Sequence, residues 1–199
     1  MAIRDQLKTF KKERILEQAQ RLFYERGFRG TSLDAIAESM EMTKPFVYGV
    51  YGKKTDILYD VSIRIINTSL EAVEGASKVP GTPIERLVEV ARRLTQVCIE
   101  HREGVTVFFR EEASLEPEHV EVVNGLKGRI DDALAGLLEE GVKTGDFDLQ
   151  DVRTAALAIG GMISWTYIWY RPTGRLKTEE LKELMAQYAL RIVGAKAKT

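Results

Sequence analysis

The chain is poor in the residues that carry covalent or metal chemistry. Its 199 residues include one cysteine and two histidines. A lone cysteine excludes an intramolecular disulfide. Cys98 sits in the apolar-periodic run VEVARRLTQVCIEH, which reads it as a buried small hydrophobe rather than a reactive thiol. His101 and His119 fall in neither an H-x-x-E-H nor an H-E-x-x-H spacing, so no metal site is expected. G-x-S-x-G, P-loop and G-x-G-x-x-G runs are missing, and no cofactor is implied. The acidic pairs Glu111-Glu112 and Glu139-Glu140 are adjacent, which on a helix turns them about 100° apart. That suits solvated faces rather than a catalytic dyad, and the chain is not expected to be an enzyme. Long hydrophobic runs are also missing. The longest uncharged stretch, Thr154 to Tyr170, has seventeen residues, fewer than the roughly 20 a bilayer needs, and contains Gly160 and Gly161. It reads as a buried helix. The N-terminus MAIRDQLKTFKKER is charged and has no apolar export segment, so a cytoplasmic protein without a membrane partner is expected.

Net charge is −1, so the chain as a whole is no polycation. Its distribution is uneven. Residues 1–30 hold eight basic side chains (Arg4, Lys8, Lys11, Lys12, Arg14, Arg21, Arg26, Arg29) against four acids (Asp5, Glu13, Glu17, Glu25). A locally basic end serves phosphate contacts without a basic whole. Alone, such an end would read as a solvated helix face. The adjoining two dozen residues favour the phosphate reading.

Residues 31–54, TSLDAIAESMEMTKPFVYGVYGKK, read as two short helices, a tight turn between them, and the start of a third. Thr31 or Ser32 can cap the first, with Asp34 completing part of a capping box. Leu33, Ile36, Ala37 and Met40 share one apolar face. Glu41 and Met42 form the turn. Thr43 caps the second helix, and Pro45 lies in its first turn, where a missing N–H is harmless. A helix over Arg14 to Arg26 supports the pair with Ile15, Ala19, Leu22 and Phe23, and Gly27 ends it. A helix–turn–helix of this kind fits a DNA major groove.

This order of parts resembles the N-terminal domain of the TetR family of bacterial repressors. The resemblance rests on ILEQAQRLFYERGFRGTS (Ile15 to Ser32), Ile36-Ala37, Thr43-Lys44-Pro45-Phe46-Val47-Tyr48, Tyr51 and Lys54, and covers about sixty residues. Two positions depart from it. Gly49 and Val50 stand where the family often has a bulky residue and a histidine, and Lys53 replaces a small polar cap before the conserved lysine.

Residue chemistry and resemblance together give the candidate DNA-contacting set Thr31, Ser32, Thr43, Lys44, Pro45, Phe46, Tyr48, Lys53 and Lys54. The hydroxyls and lysines suit phosphates, Lys44 suits a base edge or the backbone, and Pro45 and Phe46 suit a thymine methyl. Phe46 serves equally well as core, and Val47 is better read as core.

The remaining two thirds stay helical, giving an all-α fold: a DNA-binding domain at 10–71 and a ligand-binding and dimerisation domain at 72–199. Helices are expected from Thr55 to about Ala76, and from a Thr82-Pro83-Ile84-Glu85 start to about His101. Gly104 interrupts before VTVFFREEA, a strand-like run read as helix. Further helices are expected over Pro117 to Lys143, over Gln150 to Tyr170, and from a Thr178 cap onward. The pair at 117–143 and 150–170 is expected to dimerise, since Ala155, Ala156, Ala158, Gly160 and Gly161 allow close approach and the family forms a four-helix bundle there. A homodimer implies a roughly palindromic double-stranded DNA operator.

The resemblance also implies an effector pocket in the C-terminal domain. Candidate residues are Phe108, Phe109, Met162, Trp165, Tyr167 and Trp169 as walls, with Arg110, Arg171 and Arg175 toward an opening. Gly161 to Leu176 is similar to the matching region of TetR-family regulators of fatty-acid and sterol breakdown, several of which sense acyl-CoA thioesters. That implies a hydrophobic effector such as an acyl-CoA, releasing a repressor from its operator. The competing reading is a helical ligand-binding or scaffold protein without DNA activity. Lys44, Tyr48 and Lys54 at their spacing argue against it.

Overall fold

The computed structural model describes residues 3–195, and among them every regular element is helical. In chain order these are α1 (Ile3–Arg26), α2 (Leu33–Ser39), α3 (Lys44–Tyr48), α4 (Lys54–Ser77), α5 (Pro83–Glu100), α6 (Arg102–Glu111), a 3-10 turn (Glu112–Ser114), α7 (Pro117–Thr144), α8 (Val152–Ser164), α9 (Thr166–Trp169) and α10 (Thr178–Ile192). They form two compact units. One comprises Met1–Ile65 and Glu103–Val123; the other comprises Ile66–Arg102 and Asn124–Thr199. No helix among the described residues is long and apolar enough to cross a membrane.

The first unit is built on α1. Ile15, Ala19, Leu22 and Phe23 are buried along one face, as their spacing predicts. Phe28 meets Phe23 edge to face at 5.2 Å. Such a pair contributes about 1 kcal/mol beyond the area it removes from water. Gly27 ends α1 with φ +78°, and its N–H donates to the Phe23 carbonyl. Ile36, Val47, Ile57 and Leu58 complete this core. α6 adds Val105, Val107 and Phe108, all buried. Gly104 does not interrupt it: the glycine lies inside α6, and a Cβ there would stand 2.5 Å from the Ile65 side chain. The missing side chain is a fit between helices rather than a break.

The second unit packs α5 against α10, with α8 alongside. Leu87, Leu138, Ile159, Ile163 and Leu181 are wholly buried in its core. The Thr82 hydroxyl accepts from the Glu85 N–H and the Glu85 carboxylate accepts from the Thr82 N–H, the reciprocal cap that TPIE predicts. Cys98 is buried here, as expected, and burial pushes its thiol up to about 12. The stretch expected as one helix to Tyr170 is instead two. α8 stops at Ser164, the buried Thr166 hydroxyl donates to the Ile163 carbonyl, and Arg102 Nε donates to the Tyr167 carbonyl. At α10 the cap is Lys177, whose N–H donates to Glu180 at 2.7 Å, while Thr178 is the first helical residue.

Candidate nucleic-acid interface

The site grows from the turn after α1. Thr31 and Ser32 divide the two tasks that adjacent hydroxyls might share. Ser32 is the cap of α2 and accepts from the Ala35 N–H at 3.0 Å. Thr31 is 2% exposed, and its hydroxyl donates to the Gly27 carbonyl at 2.9 Å. Thr31 is therefore an internal tie rather than a cap or a phosphate ligand. Asp34, expected in a capping box with it, faces α3 instead.

α2 ends at Met40 and the chain reverses through Glu41, which has φ 55°. The Met42 N–H then donates back to the Ala37 carbonyl at 3.0 Å. α3 follows with Val47 as its one buried residue, at 0% exposure. Val47 anchors five residues, so Lys44, Pro45 and Tyr48 are left exposed and Phe46 half-buried. The Thr43 hydroxyl makes no capping bond.

Lys44 and Tyr48 share one carboxylate. Lys44 Nζ lies 2.5 Å from Asp34 Oδ2, and the Tyr48 hydroxyl donates to Oδ1 at 3.1 Å. The hydrogen bond from Lys44 holds the Asp34 carboxyl below its ordinary range, and the same carboxylate pushes Lys44 and Tyr48 up. Lys44 is an ammonium and Tyr48 a neutral phenol at neutral pH.

Lys53 and Lys54 diverge. Lys53 is exposed, and its ammonium reaches Glu116 at 3.2 Å; the Thr55 hydroxyl donates to the same carboxylate at 2.8 Å. Lys54, expected to meet phosphate, turns inward. It donates to the carbonyls of Phe28 (2.6 Å) and Thr31 (2.7 Å) and lies over the Phe28 ring at 4.3 Å. Burial lowers its pKa. Its role in the fold is a staple between the start of α4 and the turn after α1.

The candidate effector residues are distributed between the units. Phe108, Phe109 and Arg110 belong to the first; Met162, Trp165, Trp169, Arg171 and Arg175 belong to the second. Phe108 is buried, whereas Phe109, Trp165 and Trp169 stand 42%, 59% and 46% exposed. Arg110 donates to the carbonyls of Phe23 and Tyr24, which occupies its guanidinium. Arg171 is folded back on the carbonyls of Ile168 and Tyr170, and Arg175 is exposed. Met162 is half-buried against the second unit's core and Tyr167 is buried. Sequence reading missed a groove of about 460 Å³ in the second unit, flanked by Ala72, Val97 and Lys182. Its guanidinium groups Arg92 and Arg93 are committed to Glu183 and Glu89.

A short anchored helix that presents lysine, tyrosine and threonine beyond a capped partner helix is the form of a helix–turn–helix DNA-binding protein. Comparison with known proteins narrows the class. Residues 15–61 match the model described as bacterial regulatory proteins, tetR family, and residues 80–193 match that of the tetracyclin repressor-like C-terminal domain. The chain belongs to the TetR family of transcriptional regulators. No curated protein matches it. Among solved structures, a TetR-family regulatory protein from Rhodococcus RHA1 is 25% identical with TM-score 0.89, over 94% of this chain and 98% of its own. PfmR from Thermus thermophilus is 28% identical with TM-score 0.82, over 92% and 99%. AibR, solved with isovaleryl coenzyme A and operator DNA, is 26% identical with TM-score 0.81, over 94% and 100%.

Proposed function

We propose that this regulator is a repressor that binds a palindromic operator as a homodimer and is released by an acyl-CoA effector. The carrying observation is the α3 surface: Thr43, Lys44, Pro45 and Tyr48 face solvent together while Val47 alone holds the helix in the core. Ser32, half-buried Phe46 and Lys53 complete the contact set. DNA binding belongs to residues 10–71, and effector binding and dimerisation to 72–199.

The homodimer draws support from one exposed stripe. Leu157, Ala158 and Gly161 of α8, Trp165 at the junction, and Ile168 and Trp169 of α9 succeed each other, and all are exposed. A run of large apolar and small residues suits a two-fold helix pairing. The effector class draws support from AibR, aligned over its whole length and holding isovaleryl coenzyme A together with operator DNA. Gel retardation with the DNA flanking the gene tests the whole reading. A retarded band that isovaleryl-CoA or a longer acyl-CoA releases is the expected result. A chain that retards no such DNA refutes the repressor; retardation insensitive to every acyl-CoA refutes the effector alone.

A further inference from the structure

α1 begins at Ile3, well before the family match starts at residue 15. This leading segment is not held by apolar burial, since Leu7 and Phe10 are 53% and 58% exposed. Polar contacts hold one side of it. Lys12 pairs with Asp60 at 2.8 Å, and Glu13 pairs with Arg64 at 3.2 Å. The other side borders an open groove of about 640 Å³. Lys8 and Lys11 line one wall of that groove; Pro45, Phe46 and Gly49 of α3 and its C-terminal cap line the opposite wall.

The two lysines are three residues apart and so stand side by side on one helix face, with Cβ atoms about 5–6 Å from each other. Neither makes an ion pair among the described residues. Asp5 is the one carboxylate on the lining, which leaves the groove net positive. Lys11 Nζ lies 5.1 Å from the centre of the Phe46 ring, a cation–π contact that aims this wall at the DNA-facing helix. Gly49 brings no side chain into the space. The groove is thus a cationic slot whose far wall is the surface that would enter the major groove.

We infer that Lys8 and Lys11 form a second contact element for the DNA backbone, seating phosphodiester groups that flank the bases met by α3. The inference rests on the operator-binding reading above. The chemistry recognised is the phosphodiester, so these contacts strengthen binding without reading sequence.

The test uses the full chain, with operator and scrambled duplexes of equal length, titrated across a salt series. Lys8→Gln is the primary variant, because the cation–π contact with Phe46 is made by Lys11 and glutamine keeps the helix. Each lysine on a phosphate contributes about 0.9 to the slope of log affinity against log salt. Lys8→Gln should flatten the slope by about 0.9 per bound protomer, and the Lys8→Gln/Lys11→Gln pair by about 1.8. Both duplexes should weaken by the same factor. A wild type that binds while the Lys8→Gln slope stays unchanged overturns this contact alone. Weakening confined to the operator duplex also overturns it, by making the lysines base readers. A wild type that binds neither duplex overturns this inference together with the reading beneath it.

Discussion

Asp34 places a carboxylate beside the α3 surface proposed for DNA contact. It accepts from the Lys44 ammonium and the Tyr48 hydroxyl, two of the groups proposed for DNA contact. Asp34→Asn removes a negative charge from this face and should tighten binding a few-fold on operator and scrambled duplex alike, read by fluorescence anisotropy. The carboxyl's pKa is lowered from its ordinary 3.8, so its bond to Lys44 is fully present above that value. It is lost only as pH falls through the depressed pKa. Operator affinity should therefore show no Asp34 titration between about pH 6 and 8. Cys98 gives a second residue-scale expectation. With its thiol pushed up to about 12 and buried, it should resist a thiol reagent at about pH 8 in the native protein and react fully in denaturant. Asp34's partners were not legible in the sequence, because a carboxylate three residues past a threonine reads as a cap. The left-handed turn at Gly27 instead offers its carbonyl to Thr31, leaving the capping to Ser32.

At the scale of elements, helix starts and stops with local chemistry were the readable ones: Thr82 with Glu85, and Gly27 after α1. Features set by distant chain were not. Lys54 reads as a surface cation, yet its acceptors belong to Phe28 and Thr31, which only the folded turn brings near. The break between α8 and α9 has no proline to announce it; the Thr166 hydroxyl takes the Ile163 carbonyl there, and Arg102 reaches the Tyr167 carbonyl from a distant part of the chain. The first turns of α1 lack an apolar period, so a start near Arg14 looked sufficient. Lys54→Met keeps the aliphatic stem but removes the ammonium from the Thr31 carbonyl, while the Phe28 carbonyl still accepts from the Thr31 N–H. A buried acceptor left unpaired costs about 1–3 kcal/mol, so the thermal midpoint should drop. An unchanged midpoint would mean that water satisfies the Thr31 carbonyl. Glu41 is the opposite case. At φ 55° a side chain is disfavoured by roughly 1–2 kcal/mol, partly offset by glycine's extra unfolded freedom. Glu41→Gly should raise the denaturation midpoint modestly and leave operator affinity unchanged.

At the scale of the molecule, both of the chain's tryptophans stand on the α8–α9 stripe proposed for dimerisation. Dilution through the dimer transition should therefore shift tryptophan emission to the red, in step with a fall in sedimentation mass. Trp165→Glu should place a charge in that interface, yield a single-chain mass, and weaken operator binding through loss of the second half-site. α3, finally, touches the core through Val47 alone. Its outward side chains can be exchanged with little consequence for folding. Exchanging those side chains should therefore alter operator preference while the thermal midpoint stays nearly unchanged, as for a replaceable cassette on a fixed scaffold.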